Sequence, residues 1–380
     1  MGLKVLVLHP EMDTLGGGER LCLSACEALV EGGHEVELYT NDIPDLESKL
    51  EMIFGKRVNV PIVQAFKPFK PFLVNRFLVY QRLMHFGREV KKAEGSMRRA
   101  DVIFSTQDLL YLPMQKYAYT VQYVHFPEYL VHRERAVGVK SWFWKIYYAP
   151  AVRSFRKRLE NVDEFLCNSK LTFNAIKERW GKRAEVIYPP VEISKFLAGS
   201  TGEKSQQVVT VGRFEPRKRY ETVLMVASKL PEIPFFILGV VTNEKYYEHI
   251  RRLKPKNVHL LPNADFTTLK RVLSESMFYL HTMVGEHFGI SIVEAMASGC
   301  IPIVPSYGGP SEFVIHGKNG IIYSNLLEAI VFIKALTTFP HSKLDQMRKE
   351  AIETAKKFDE SIFKAKMIEV FKRVGRFVEN

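Results

Sequence analysis

The run Lys4-Val-Leu-Val-Leu-His9, the turn Thr14-Leu-Gly-Gly-Gly18 and the amphipathic stretch Glu19 to Glu31 read in order as strand, glycine loop and helix. A short, continuous apolar run suits a strand that is covered on both faces of a parallel sheet. The unit then repeats. His34 to Tyr39, Val102 to Ser105, Tyr119 to His125 and Glu164 to Asn168 are further strand-like runs with helix-like patterns between them. Such alternation predicts β-α-β units in a doubly wound α/β sheet. The segment 66–99 reads as a helical insertion, with Pro68 and Pro71 permitting helix only from about Phe72 onward. Val186 to Tyr188, Pro189-Pro190 and the polar stretch Gly199 to Gln207 read as a linker. After it the alternation restarts with Val208 to Gly212, Phe235 to Val241, Val258 to Leu261, Phe278 to His281 and Ile301 to Pro305. Two α/β domains, 1–198 and 205–358, are the expectation for a chain of 380 residues, which exceeds one comfortable core. The tail Glu360 to Val378 carries Ile362, Phe363, Met367, Ile368, Phe371 and Val374 as a helical stripe that must pack on something.

Hydrophobic content of 46% with 25% charged residues is that of an ordinary globular protein. No apolar run reaches the roughly 18 residues of a membrane-spanning helix. The N-terminal run lacks a charged region, apolar stretch and small-residue cleavage site in sequence, so no secretion signal is expected and a cytoplasmic location is. Cys22, Cys26, Cys167 and Cys300 show no C-x-x-C spacing, which favours buried, reduced thiols. Net charge is +12 with a pI near 9.3, and the excess is concentrated. Residues 66–99 hold nine bases against two acids, and 133–158 hold eight against one. Both segments are also aromatic, through Phe66, Phe69, Phe72, Phe77, Tyr80 and Phe86 in the first and Trp142, Phe143, Trp144, Tyr147, Tyr148 and Phe155 in the second.

The chemistry concentrates in the second half. In Glu286-His-Phe-Gly-Ile-Ser-Ile-Val-Glu294, Phe288 and Gly289 break an apolar run, and Ile290 to Ser298 reads as a helix closed by Gly299. The first-turn amides of such a helix lack backbone partners and its dipole favours anions there, so a phosphate would be held. Carboxylates on either side accept hydrogen bonds from hydroxyl pairs, Glu286 from a sugar and Glu294 from a ribose, which suggests a sugar nucleotide. Val211-Gly212-Arg213-Phe-Glu-Pro-Arg-Lys218 brings Arg213 and Lys218 to the carboxyl edge of a strand, where open α/β sheets bind ligands. A rigid fork and a point charge together suit a diphosphate, and fixed cations favour the transition state in which its charge develops. Asp-x-Asp occurs nowhere and no His or Cys cluster has ligand spacing, so no essential metal is expected. Gly16, Gly17 and Gly18 allow backbone amides to approach an anion or a sugar, although the G-x-G-x-x-G dinucleotide pattern is not met. His125 ends a strand and offers a ring nitrogen to a sugar hydroxyl or a carbonyl to an electron-poor carbon. Ser306-Tyr-Gly308-Gly309-Pro-Ser-Glu312 also follows a strand, with glycines that would let a ligand come close.

Gly212-Arg213 with Lys218, Glu286-x7-Glu294 with Phe288-Gly289, Gly308-Gly309 with Glu312, and Asn319-Gly320 together resemble glycosyltransferase family 4 in order and spacing. Gly-Gly-Gly-Glu-Arg20 and His125-Phe-Pro are most similar to the branch of mannosyltransferases that extend dolichol-linked oligosaccharides. The resemblance implies a GT-B fold: two Rossmann-like domains facing a cleft, with a final helix, 359–380, crossing back to the first. It implies a retaining, metal-independent transfer from a nucleotide-sugar donor, GDP-mannose or a UDP-sugar, to a lipid-linked glycan. By position, the donor would be bound by Gly17, Gly18, Arg213, Lys218, Phe288, Gly289, Ile290 and Glu294, while Glu286, His125, Arg213 and Lys218 would act in transfer. Cys300 and Lys318 depart from the family pattern without touching that chemistry. The basic-aromatic segments then read as a contact with an anionic membrane at its cytosolic face. A sugar-nucleotide epimerase or phosphorylase on a similar scaffold is a second reading. A nucleic-acid-binding module is a third, and it leaves the carboxylates unexplained; no nucleic-acid partner is expected.

Overall fold

The computed structural model describes residues 2–12, 16–54, 60–70, 78–127, 141–197 and 203–378, with backbone alone at 52–54 and 141–145. Of the sequence expectations, Thr14 in the glycine turn, Phe72 and Phe77, residues 133–140, the side chains of Trp142, Phe143 and Trp144, and linker residues 199–202 lie outside the described residues. The chain divides into two compact units, Met1–Pro190 with Phe363–Asn380, and Val191–Ile362.

The first unit is built on a parallel sheet in the order β3-β2-β1-β4-β5-β6-β7. Its strands are β1 (Lys4–His9), β2 (Glu35–Asn41), β3 (Ile62–Phe66), β4 (Val102–Ser105), β5 (Tyr119–Val124), β6 (Glu164–Cys167) and β7 (Glu185–Val186). Alternate residues of β1 serve two cores. Val5 and Val7 face the cluster containing Cys22, Cys26 and Phe104, whereas Leu6 and Leu8 face that of Phe66, Phe155 and Cys167. Two strands escape the apolar pattern. Ile62–Phe66 is a short edge strand, so the segment 66–99 opens on the last residue of β3 rather than as a purely helical insertion; its helix is Leu78–Glu89. Glu185–Val186 belongs to the sheet edge rather than the linker. All four cysteines are buried thiols. The C-terminal helix Glu360–Val378 buries Phe363, Met367, Val370, Phe371 and Val374 in the first core, as its stripe requires.

The second unit repeats the plan in the order β10-β9-β8-β11-β12-β13, again parallel throughout. Here β8 is Ser205–Val211, β9 Phe235–Gly239, β10 Val258–Pro262, β11 Ser276–Leu280, β12 Ile301–Pro305 and β13 Ile321–Tyr323. The polar Ser205-Gln-Gln207, expected as linker, opens the central strand. Gln207 Nε2 donates to Ser276 Oγ (3.0 Å) and Gln206 Nε2 to the Thr337 carbonyl (3.0 Å), so strand geometry leaves neither amide unmet. The boundary also moves. Val191–Leu197 joins the second unit rather than the first, because Val191 bridges Asp359 and Phe196 packs edge-on against Phe266. In each sheet the strand order reverses between the first and fourth strands, the position where open α/β sheets hold ligands beyond their carboxyl ends. Among the described residues no helix is long and apolar enough to cross a membrane.

Candidate active site

In the second unit the reversal lies between β8 and β11, and the expected donor residues converge beyond those two strands. β8 runs into Gly212 and Arg213, whose guanidinium is 3.7 Å from Glu215 and whose side chain is 42% exposed. A short helical turn, Pro216–Lys218, comes next, and Arg219 reverses the chain with a left-handed backbone, φ 55°. Such a conformation costs about 1–3 kcal/mol in a residue other than glycine and tends to mark functional turns. The turn sends the Lys218 stem back across Gly212, where any added Cβ would meet Lys218 Cε at 3.2 Å. Lys218 Nζ then donates to Glu286 Oε2 at 2.8 Å, and Thr282 Oγ1 donates to the Lys218 carbonyl at 2.8 Å. The anchoring glycine, Gly239, carries no signal in the sequence: a Cβ there would lie 1.7 Å from the Gly212 carbonyl.

Glu286 is held from all sides. Its Oε1 accepts the His287 amide at 3.2 Å, and its carbonyl accepts the Gly309 amide at 2.7 Å. The Gly308-Gly309 turn therefore approaches the Glu286 loop, a contact the sequence did not indicate; a Cβ on Gly309 would stand 2.0 Å from the His287 carbonyl. Burial works to raise the Glu286 pKa, but the charge of Lys218, the neighbouring His281 and the Lys218 hydrogen bond together outweigh it and hold the carboxyl at about 2. His281, missed as a site residue because it reads as the end of an apolar strand, places Nε2 3.5 Å from Glu286 Oε2. Burial pushes its imidazole down to about 4, so the ring is neutral at pH 7 and the contact is not an ion pair.

The helix Ile290–Ala297 lies beyond that loop, with Gly299 left-handed (φ 78°) just past its end as expected. The Gly289 carbonyl accepts the Ile292 amide at 3.0 Å, and helix geometry leaves the earlier first-turn amides without intrahelical acceptors. Tyr279 ties this turn to β8: its hydroxyl bonds Ser291 Oγ at 2.8 Å and the Val211 carbonyl at 3.2 Å. Glu294 lies buried on this helix, 6% exposed. The Phe288 side chain packs at 5.5 Å on Phe313 and 5.3 Å on Phe358, so it belongs to an aromatic cluster beside the loop. Asn319 is likewise structural: it accepts from the Ile315 amide (2.6 Å) and donates to the Phe313 carbonyl and Thr354 (2.9 Å each).

The remaining candidates, Gly17, Gly18 and His125, sit together in the first unit. The helix Gly17–Glu31 starts on the glycines, with Glu19 accepting the Gly16 amide at 2.7 Å, and a Cβ on Gly18 would lie 3.7 Å from His125 Nε2. His125 Nε2–H donates to the Thr106 carbonyl at 2.9 Å, which sets the tautomer. Its own carbonyl accepts from Asn168 Nδ2 (2.9 Å) and Thr172 Oγ1 (3.1 Å). Both lone pairs of this carbonyl are thereby engaged, which disfavours its meeting an electron-poor carbon. Among the described residues no three His, Cys, Asp or Glu side chains are grouped as ligands for a metal ion.

Comparison with known proteins accords with this geometry. The family model for "Glycosyltransferase Family 4" matches residues 15–195, and that for "Glycosyl transferases group 1" matches 195–358. The chain belongs to glycosyltransferase family 4. A family 4 hexosyltransferase is also what its relatives indicate. It is 26% identical to the Homo sapiens "GDP-Man:Man(3)GlcNAc(2)-PP-Dol alpha-1,2-mannosyltransferase", over 94% of this chain and 84% of that protein. It is 25% identical to the Mus musculus "Alpha-1,3/1,6-mannosyltransferase ALG2", over 89% and 87%. Solved structures share the GT-B fold. The sucrose-phosphate synthase of Thermosynechococcus elongatus superposes with a TM-score of 0.77 at 16% identity, covering 98% of this chain and 99% of that one. Anabaena Alr3699/HepE in complex with UDP-glucose superposes with 0.73 at 18%, covering 98% and 100%.

Proposed function

We propose that this family 4 glycosyltransferase moves mannose from GDP-mannose to a lipid-linked glycan, with retention of configuration and without a metal. The observation that carries the reading is the Lys218–Glu286 contact at the reversal point of the second sheet, with Arg213 on the adjoining turn and a helix amino end beside it. The names of the human and mouse relatives support mannose, and the human name supports the guanine nucleotide and a dolichol-diphosphate acceptor. As the sugar–phosphate bond breaks, negative charge grows on the leaving diphosphate, and Lys218, Arg213 and the first-turn amides stabilise it more in the transition state than in the ground state. Glu286, ionised across the working pH range, accepts hydroxyls of the donor sugar, and Glu294 accepts those of the ribose. The His125 ring contributes a sugar contact from the first domain. These cations take the role a divalent metal would otherwise fill, so turnover is expected to survive a chelator.

The test is nucleotide release from GDP-mannose, UDP-glucose and UDP-N-acetylglucosamine with a polyprenyl-linked glycan acceptor, with and without EDTA. Release from GDP-mannose alone among the three is expected, dropping roughly 100-fold in Glu286→Ala and Lys218→Ala. Turnover of a UDP-sugar instead would assign the alternative donor, and wild-type rates in both variants would overturn the site.

The same reading puts the first domain on an anionic membrane surface at its cytosolic face. The described aromatics divide. Phe66, Phe86 and Phe155 are core residues, whereas Tyr80 and Tyr147 meet edge-on at 5.2 Å and join the helices Leu78–Glu89 and Ser141–Glu160. On the same two helices Met84 and Ile146 are exposed, at 51% and 63%. So are Arg82, Arg88, Lys91, Arg153, Arg156 and Lys157. At about 1 kcal/mol per base near an anionic leaflet, six bases hold a domain reversibly. Co-flotation with phosphatidylserine liposomes at low salt, lost at high salt, is expected; protein left in the dense fraction at low salt rejects the membrane surface.

A further inference from the structure

Lys218 and Glu286 are each other's partners in the structure, yet under the proposed function Lys218 serves the diphosphate and Glu286 the sugar. A diphosphate that takes Lys218 Nζ removes the 2.8 Å donor from a carboxylate whose side chain is only 16% exposed. A buried carboxylate stripped of its donor is far costlier than one lost hydrogen bond. One other polar atom is in place. His281 Nε2 faces the same oxygen, Glu286 Oε2, at 3.5 Å, is enclosed by protein and has no hydrogen-bond partner. That separation lies just beyond the 2.7–3.2 Å of an N–H···O bond. The residue is 3% exposed and its backbone is held twice: the amide donates to the Ile303 carbonyl at 2.9 Å, and the carbonyl accepts the Tyr323 hydroxyl at 2.7 Å. A neutral imidazole facing a carboxylate carries its proton on the facing nitrogen, so Nε2 is a donor held in reserve.

Resting on that reading of the donor site, we infer that His281 and Lys218 exchange on Glu286: when a donor diphosphate draws Lys218 away, Glu286 Oε2 closes on His281 Nε2–H, which keeps the carboxylate ionised and aimed at the sugar. No proton is transferred; an ammonium N–H···O contact is replaced by an imidazole N–H···O contact. His281 is a positioning residue that acts through Glu286. The exchange accounts for an unsatisfied polar atom at the end of an otherwise apolar strand. It also makes donor binding, rather than the free enzyme, the state that depends on His281.

The test combines calorimetric titration of GDP, with UDP as the second probe, into wild type, K218Q, H281L, H281Q and the K218Q/H281L double variant, with 15N NMR of the histidine side chains of the wild type. K218Q is expected to weaken nucleotide binding. H281L is expected to bind roughly tenfold more weakly than wild type at pH 7.5 with an unchanged thermal midpoint. H281Q, whose amide also donates, is expected to regain most of that loss. The midpoint is expected to fall when H281L is added to K218Q, where Glu286 has lost both the ammonium and the imidazole and keeps at most a neutral amide. The His281 Nε2 resonance, identified by its loss in H281Q, is expected to move on saturation with nucleotide. H281L binding like wild type while K218Q is weakened, or an Nε2 resonance unmoved at saturation, overturns the exchange and leaves the donor site standing. K218Q binding like wild type, or a wild type that binds neither nucleotide, overturns the assignment of Lys218 to the diphosphate and the exchange with it.

Discussion

Glu286 is ionised and His281 neutral at neutral pH, and these two depressed groups respond to acid in separate windows. His281 titrates at about 4 in the fold against 6.5 ordinarily. A lowered folded pKa means that the unfolded chain takes the proton first, so stability is fully present above pH 6.5 and is lost as pH falls toward 4. Glu286, at about 2 against 4.5, contributes stability that is present above 4.5 and lost below it. Between pH 7 and 5 only the histidine window is crossed. Replacing His281 by Leu is therefore expected to narrow the acid loss of stability by about 2 kcal/mol over that interval, while Glu286→Gln leaves the slope there unchanged. Denaturant midpoints of the two variants and the wild type at pH 7 and 5 check this; equal slopes for wild type and H281L would contradict it. Neither pairing, Lys218 with Glu286 or His281 with Glu286, is visible in sequence. Lys218 and Glu286 are 68 residues apart, and nothing local distinguishes a histidine that ends a strand as a core residue from one that faces a carboxylate.

At the scale of elements, legibility depends on how strongly burial constrains each segment. Central strands β1, β4 and β12 are covered on both faces, so they are apolar runs and are legible nearly to the residue, whereas the exposed polar start of β8 is not. Edge strands β3, β7 and β13 are two to five residues long and only partly enclosed, so their patterns merge with the neighbouring loops. The helix Ile290–Ala297 is legible at both ends, because Gly289 (φ 93°) and Gly299 (φ 78°) occupy backbone regions that other residues avoid. Gly308-Gly309 is legible as a place of close approach but not as to what approaches, since that depends on how the loop after β12 meets the loop after β11. The basic-aromatic helices show the same division: composition marks them, and only packing separates core Phe86 and Phe155 from exposed Met84 and Ile146.

For the whole molecule, the decisive connection is the return of the C-terminal helix to the first unit. Phe371 is fully buried there, 5.5 Å from Phe104 of β4 and 6.1 Å from His34. Lys364 binds Glu27 at 2.9 Å and Glu31 at 2.7 Å, and Arg373 pairs with Glu164 and Glu185. The Lys364–Glu31 and Arg373–Glu185 pairs reach solvent and are worth little beside the aromatic core contact, whereas Lys364–Glu27 is largely enclosed. Phe371→Ala is expected to destabilise the first unit by about 3–5 kcal/mol, read as a lowered denaturant midpoint, whereas Glu31→Ala, which removes only the half-exposed partner of Lys364, costs less than about 1 kcal/mol. A Phe371→Ala protein as stable as wild type would show that the helix is not part of that core. The sequence by itself determined two doubly wound α/β domains, a returning helix and the residue types of a donor site, because burial periodicity, glycine backbone preferences and charge are local properties. Only the tertiary structure decided that Lys218 and Glu286 are partners at rest, that His281 waits beside them, that the His125 carbonyl is already engaged and that Phe288 turns inward. Those outcomes depend on which strand ends the sheet order brings side by side, and that order is settled by packing between segments far apart in the chain.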